Sequence, residues 1–350
     1  ASDWWHTYGR DQYDRLTNVT SAAGTFGYTY HSLSPICDRV ALMGLPGNYI
    51  ENSRVEYEID ALGRLTNSEL YSPMGPVINR HGYDLNAANQ RTRQAFVNGN
   101  YVDYTYDDIG QLKTAKGWES GGTVVRANEQ FGYAYDAAWN LNRRTNNALV
   151  QTFNVDNLNQ LSSGSRSGSF TVAGVASEPR GGDGGWGYPA GVSNVVVSGT
   201  GLSSGNADIY TDGAWARTNA TLADGNNTYN ATASDTCGRT ASDSVTVNLP
   251  ATPSFQYDGN GNLTNDGRRV LEYDFENQLT NVYVASGWRS EFRYDAFGRQ
   301  RVRREYTWSS GAWLLTNEVR LVYDGMLVVQ ERDANNLAQV SYTRGNDLSG

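Results

Sequence analysis

Aromatic and polar positions alternate along this chain in short bursts, and each burst is followed by the same polar run. The clearest are Tyr104-Thr105-Tyr106-Asp107-Asp108-Ile109-Gly110-Gln111-Leu112 and Phe292-Arg293-Tyr294-Asp295-Ala296-Phe297-Gly298-Arg299. Alternation puts two rings on one face of an extended strand. Asp-x-x-Gly/Asn is turn chemistry, because Asp caps its own backbone and Gly or Asn tolerates positive φ. Arg/Gln-Leu then resumes an extended run. Each copy predicts one β-hairpin.

Marked by their last position, the copies end at Leu16, Val40, Leu65, Arg91, Leu112, Leu141, Leu161, Leu263, Leu279 and Gln300. The gaps are 24, 25, 26, 21, 29, 20, 102, 16 and 21 residues. The turn position carries Asp60, Asn86, Asp107, Asp136, Asp156, Asp258, Asp274 and Asp295, and the rings include Tyr30, Tyr57, Tyr106, Tyr135, Tyr257, Tyr273 and Tyr294. The copy ending at Val40 is stretched, from Tyr28-Thr29-Tyr30 to Asp38-Arg39-Val40, and a weak further copy starts at Tyr323-Asp324-Gly325. A lone hairpin is marginal in water, so neighbours must stack into one sheet. The expected fold is all-β: a curled antiparallel sheet of hairpins. About ten hairpins, about 4.8 Å between strands, give a sheet roughly 100 Å wide, and twist would curl it into one open turn of a spiral.

These copies resemble the YD-repeat, or Rhs-repeat, family of bacterial Rhs and toxin-complex proteins and the teneurins. Tyr106-Asp107, Tyr135-Asp136, Tyr257-Asp258-Gly259-Asn260-Gly261-Asn262-Leu263, Tyr273-Asp274 and Tyr294-Asp295 carry the likeness, and Tyr342-Thr343-Arg344-Gly345 resembles the entry to the Rhs core region. The resemblance implies a hollow shell around a C-terminal toxin polypeptide of the same longer protein, and a secreted or bacterial cell-surface location. It places a self-cleaving aspartate site beyond Gly350, so no catalytic residue carries over. The start at Ala1 without Met and the stop at Gly350 read as cuts in a longer chain, and no signal peptide is visible.

Residues 162–252 carry no copy. Short β-like runs at Phe170–Val172, Asn194–Val197, Ala207–Tyr210, Trp215–Thr218, Asn227–Ala233 and Ser244–Asn248 predict a small inserted β-sandwich resembling the immunoglobulin-like modules of bacterial surface proteins. Three parts follow: hairpins over 1–161, the insert over 162–252, and hairpins again over 253–350. Trp186, Tyr188 and Trp215 are the candidate platform for a sugar, which supports an alternative reading as an adhesin whose insert holds glycan or protein. Three Asn-x-Thr sequons, at Asn219, Asn226 and Asn230, are expected by chance in a bacterial protein.

Composition narrows this further. Of the 350 residues, 39% are hydrophobic and Tyr (23) outnumbers Phe (9), which suits a thin sheet wetted on both faces. A net charge of −9 argues against a nucleic-acid partner. Lys113 and Lys116 are the only lysines, so the other 26 of the 28 basic residues are Arg. Many stand after the turn (Arg15, Arg39, Arg64, Arg299), where cross-strand pairing with carboxylates is expected. Cys37 and Cys237 are too few for a disulfide framework, and no run of about 18 apolar residues predicts a membrane span. His6, His31 and His81 stand at no metal-ligand spacing. A calcium-loop reading of Asp258–Asn262 fails because Arg269 stands where the twelfth-position Glu belongs. The sequence therefore predicts a non-enzyme with no cofactor and no metal.

Overall fold

The structure is a computed structural model that describes residues 5–22, 24–31, 36–43, 51–73, 75–177 and 191–342. Every regular element among them is a β-strand. The chain divides into two compact units, 1–55 with 254–350, and 56–253. The insert and the hairpins of 56–161 fall in the second of these units.

The first unit holds β1 (His6–Arg10), β2 (Leu16–Ser21), β3 (Gly24–Tyr30) and β4 (Cys37–Met43), antiparallel neighbours in chain order. Leu16, Val19, Tyr28 and Cys37 form their buried cluster, with Phe26, Tyr30 and Val40 against it. The division between units falls inside β5 (Glu51–Ile59). The second unit runs through β6 (Leu65–Tyr71), β7 (Val77–Leu85), β8 (Arg91–Phe96), β9 (Tyr101–Tyr106), β10 (Leu112–Trp118), β11 (Val125–Tyr135), β12 (Leu141–Asn146), β13 (Leu149–Val155) and β14 (Leu161–Ser167), again side by side in chain order.

The insert has two sheets. β15 (Phe170–Val175), β19 (Ala214–Ala220) and β18 (Asp208–Ile209) form one. β17 (Leu202–Asn206), β16 (Val192–Gly199), β20 (Gly225–Asp235) and β21 (Thr240–Leu249) form the other. All six runs read from the sequence are strands. β17, Leu-Ser-Ser-Gly-Asn, has no β-branched or aromatic residue and gave no signal. Val195, Val197, Trp215 and Tyr229 are buried between the sheets.

In the first unit the later hairpins form a second sheet in chain order: β22 (Gln256–Tyr257), β23 (Leu263–Asn265), β24 (Val270–Tyr273), β25 (Leu279–Tyr283), β26 (Trp288–Tyr294), β27 (Gln300–Ser309), β28 (Ala312–Asp324), β29 (Leu327–Arg332) and β30 (Ala338–Ser341).

Candidate functional site

The repeated feature is the turn. At Asp60 the backbone N–H donates to the Arg64 carbonyl at 2.9 Å, and the Gly63 N–H returns to the Asp60 carbonyl at 2.9 Å. Asp60 Oδ1 accepts from the N–H groups of Leu62 and Arg64 at 2.9 and 3.0 Å. The same bonds recur at Asn86, Asp107, Asp136, Asp156, Asp258, Asp274 and Asp295. They recur at Asp11 and Asp333, and inside the insert at Asp235. The third residue after each Asp or Asn has φ between +60° and +90°, as at Gly110 (+90°) and Asn159 (+60°). At Asp136 that place is held by Trp139, at +68°, a costly conformation for a bulky side chain.

Asp60, Asp136, Asp258 and Asp295 are held low by their turns. The backbone bond from Arg64 leads the causes that hold Asp60 below its usual value, the Asn140 side chain does so for Asp136, and the Asn262 side chain for Asp258. At Asp295 the Arg299 guanidinium is the main cause, and the carboxyl is lowered to about 2.

Two kinds of bond tie successive hairpins together. The first runs through the tyrosine that precedes the turn. Tyr30 Oη donates to the Leu16 carbonyl at 2.7 Å, Tyr106 to Arg91 at 2.7 Å, Tyr135 to Leu112 at 3.1 Å, Tyr294 to Leu279 at 2.9 Å and Tyr323 to Gln300 at 2.8 Å. Each acceptor is the closing residue of the preceding copy, where the strand register shifts by one. A bulge leaves a carbonyl outside the ladder, and the neighbouring tyrosine satisfies it. Burial accordingly pushes the hydroxyls of Tyr30, Tyr135, Tyr294 and Tyr323 up. Tyr273 is raised by burial likewise, while Tyr57 and Tyr257 lie on β5 and β22.

The second kind runs through the residue that closes the turn. Arg64 donates to Asp60 Oδ2 at 2.6 Å and reaches Asn89 Oδ1 of the next turn at 2.9 Å. Asn140 joins Asp136 to Asn159, Asn262 joins Asp258 to Asn277, and Arg299 joins Asp295 to Gly325. Cross-strand pairing, expected for these arginines, gives way here to pairing within the turn. Arg39 stands on β4 and pairs with Glu51, while Asp38 accepts from Thr29 Oγ1, so neither belongs to a turn of this kind. The weak copy at Tyr323 keeps the tyrosine bond but closes through a shorter turn, with Asp324 opposite Leu327.

In the second unit the insert is fixed by one buried cation. Arg126 is 1% exposed. It donates to Glu119, to Glu129 at 3.0 Å and to Asp212 at 2.8 Å, and lies 4.7 Å from the Tyr210 ring centroid. Tyr210 Oη accepts from the Ala127 N–H at 2.7 Å, and Glu119 Oε2 from the Thr211 N–H at 3.1 Å. Burial alone would push the guanidinium down. The hydrogen bonds it donates to Glu129, Asp212 and Glu119 outweigh that and hold its proton above the usual range. Nothing in the local sequence distinguishes this arginine from the others.

Of the sugar platform, Trp215 is 7% exposed and packed in the sandwich core. Trp186 and Tyr188 lie outside the described residues. Cys37 is buried and Cys237 exposed, and no disulfide joins them. Among the described residues no helix is long and apolar enough to cross a membrane.

No family model matches the chain, and no curated protein matches it. Among solved structures it is similar to a chain of "Crystal Structure of TcdB2-TccC3", at 15% identity, TM-score 0.37, over 95% of this chain and 16% of that one. A second, "Crystal Structure of TcdB2-TccC3-TEV", gives 14% identity and a TM-score of 0.28, over 93% of this chain and 21% of that one. The chain thus spans about a fifth or less of the length of these two, and its function has to be argued from its own residues.

Proposed function

We propose that this chain is a non-catalytic wall segment of a secreted or surface-exposed β-hairpin-repeat protein, of the YD-repeat kind, that encloses or presents a toxin polypeptide lying C-terminal to it in a longer chain. The observation that carries the reading is that successive hairpins are linked by tyrosine-to-carbonyl bonds, by turn-to-turn bridges, or by both. Backbone pairing alone would form a sheet. The tyrosine-to-carbonyl bonds and the turn-to-turn bridges fix successive hairpins against one another, which is what a wall requires and a single binding site does not. The carboxylates of the repeat are engaged in these turns, and in the second unit Glu119, Glu129 and Asp212 surround Arg126.

The test is to read the encoding gene past the codon for Gly350 and express the whole product. A downstream polypeptide that resists protease within the whole protein, and is cut when expressed alone, supports the proposal. A gene encoding wall anchors or further sandwich modules downstream, with no protected polypeptide, would refute it.

A further inference from the structure

The insert contains a cleft that neither the turns nor the wall reading uses. A cavity of about 670 Å³ lies between its two sheets. Val195, Trp215 and Tyr229, each less than a tenth exposed, form its floor, with Phe170, Val172 and Val247 around them. β15 is the edge strand of one sheet and β21 of the other, and residues of both edges line the cavity. Val245, on β21, is half exposed into it. The sheet of β17, β16, β20 and β21 has four strands. The sheet holding β15 has three, and the chain just before β15 is already paired as β14 with β13. Among the described residues no strand continues the sheet beyond β15.

A second observation points the same way. Tyr229 is 5% exposed, lines this cavity, and its buried hydroxyl has no hydrogen-bond partner. A buried hydroxyl left unpaired is unfavourable, and an entering acceptor would satisfy it. The carboxylates of Asp235 and Asp243 and the guanidinium of Arg239 also line the cavity. Arg239 is bonded to Asp235, so the Asp243 carboxylate leaves a net negative charge there.

We propose that the cleft takes an extended strand of another polypeptide, paired to the free edge of β15, with alternate apolar side chains turned inward and a basic residue reaching Asp243. Strand addition at an edge draws affinity from main-chain hydrogen bonds and specificity from pockets for alternate side chains. A strand as long as β15, six residues, turns three side chains inward. The Tyr229 hydroxyl would donate to a carbonyl of the incoming strand. This inference does not depend on the wall reading.

The test uses the whole chain and a fluorescein-labelled nine-residue peptide, one arginine followed by alternating valine and threonine, read by fluorescence anisotropy. A second peptide replaces the central threonine with proline, keeping the apolar face but removing a backbone N–H. Saturable binding of the first peptide is expected. Tyr229→Phe should weaken it about five-fold with an unchanged melting temperature, since the lost hydroxyl had no partner. Ala231→Trp, which fills the cavity, should abolish it, and Tyr229→Phe keeps the test open if that variant does not fold. The proposal is overturned by no saturable binding to the wild type, by equal affinity for the proline peptide (a pocket for any apolar chain), or by equal affinity of Tyr229→Phe.

Discussion

If the tyrosine hydroxyls join the repeats, removing them one at a time should have a uniform and additive cost. The perturbation is Tyr→Phe at positions 106 and 135 in the second unit and at 30, 294 and 323 in the first. Each substitution keeps the ring and deletes one oxygen that donates to a neighbouring carbonyl at 2.7 to 3.1 Å. A typical hydrogen bond contributes about 0.5–1.5 kcal/mol net, and a carbonyl left unpaired adds to the loss. About 1 kcal/mol per site is expected, which for units of this size lowers the melting temperature by about 2–4 °C. Tyr106 and Tyr135 serve different carbonyls, Arg91 and Leu112, so the double variant should lose about 2 kcal/mol. Tyr13→Phe is the control. Tyr13 sits at a turn tip, 70% exposed, its ring 5.2 Å from the Arg15 guanidinium, and its hydroxyl serves no carbonyl in the ladder. That change should stay within about 0.5 kcal/mol. Thermal melts by circular dichroism, with urea titrations at fixed temperature, measure all six single variants. If the five ladder variants melted together with the control, the hydroxyls would be ornamental and the account of the repeat would fail.

Three further outcomes follow from the same geometry. Arg126→Met leaves Glu119, Glu129 and Asp212 facing one another without their cation, and should cost about 3–5 kcal/mol in urea unfolding; a loss under about 1 kcal/mol would contradict the anchoring role. Trp139→Asn replaces a bulky residue at φ +68° with one that tolerates that region, and should stabilise by about 1 kcal/mol, seen as a raised melting temperature; a lowered one would mean the indole makes a contact worth more than the strain. Asp295 titrates at about 2 in the fold against 3.8 unperturbed, so its contribution is present above about pH 4 and is lost as pH falls through 2. Arg299→Gln should move that loss to higher pH, and a carboxyl titration of Asp295 by NMR that did not shift would remove Arg299 as the cause.

The turn was legible in the sequence because its requirements are local. An Asp that caps its own backbone and a residue that accepts positive φ three places later are dictated within five residues, so spacing alone located Asp60, Asp107 and Asp258. The same logic extends to Asp235-Thr236-Cys237-Gly238-Arg239 and to Asp333–Leu337. These were passed over because no aromatic pair precedes them: Asp235 follows Ala231, Ala233 and Ser234, and Asp333 follows Gln330, Glu331 and Arg332. The partner of each tyrosine hydroxyl was not legible. It lies one hairpin back, 14 to 23 residues away, and exists only because a bulge frees that carbonyl. Trp215 shows the opposite limit. A tryptophan in a strand can face the core or the solvent, and only the pairing of β19 between β15 and β18 decides which.

Within the second unit, consecutive antiparallel strands put all the Asp and Asn turns at one end of the sheet and the other connections at the opposite end. The insert leaves and returns at that opposite end, and its contacts gather there. Asp212 accepts from Asn100 in the β8–β9 connection and from Arg126 near the start of β11. Asn147, between β12 and β13, donates to Thr171. The return is equally fixed. Gly164 and Arg166 of β14 donate backbone N–H groups to the carbonyls of Pro253 and Ala251, and the Arg166 guanidinium reaches the Leu249 and Ala223 carbonyls. These bonds occupy the edge of β14 that an unpaired strand would otherwise offer to another chain. An insert tethered by a flexible linker would show neither a buried cation at its base nor a paired return. The insert is therefore anchored to that end of the sheet, and any ligand of its cleft would be held in a fixed position relative to β6–β14. Cleaving the chain within 178–190, if the cut ends stay associated, should for that reason leave Arg126 protected and the melting temperature of the second unit within about 2 °C of the intact chain; loss of the insert on cleavage would show that its attachment is weaker than three carboxylates around one guanidinium imply.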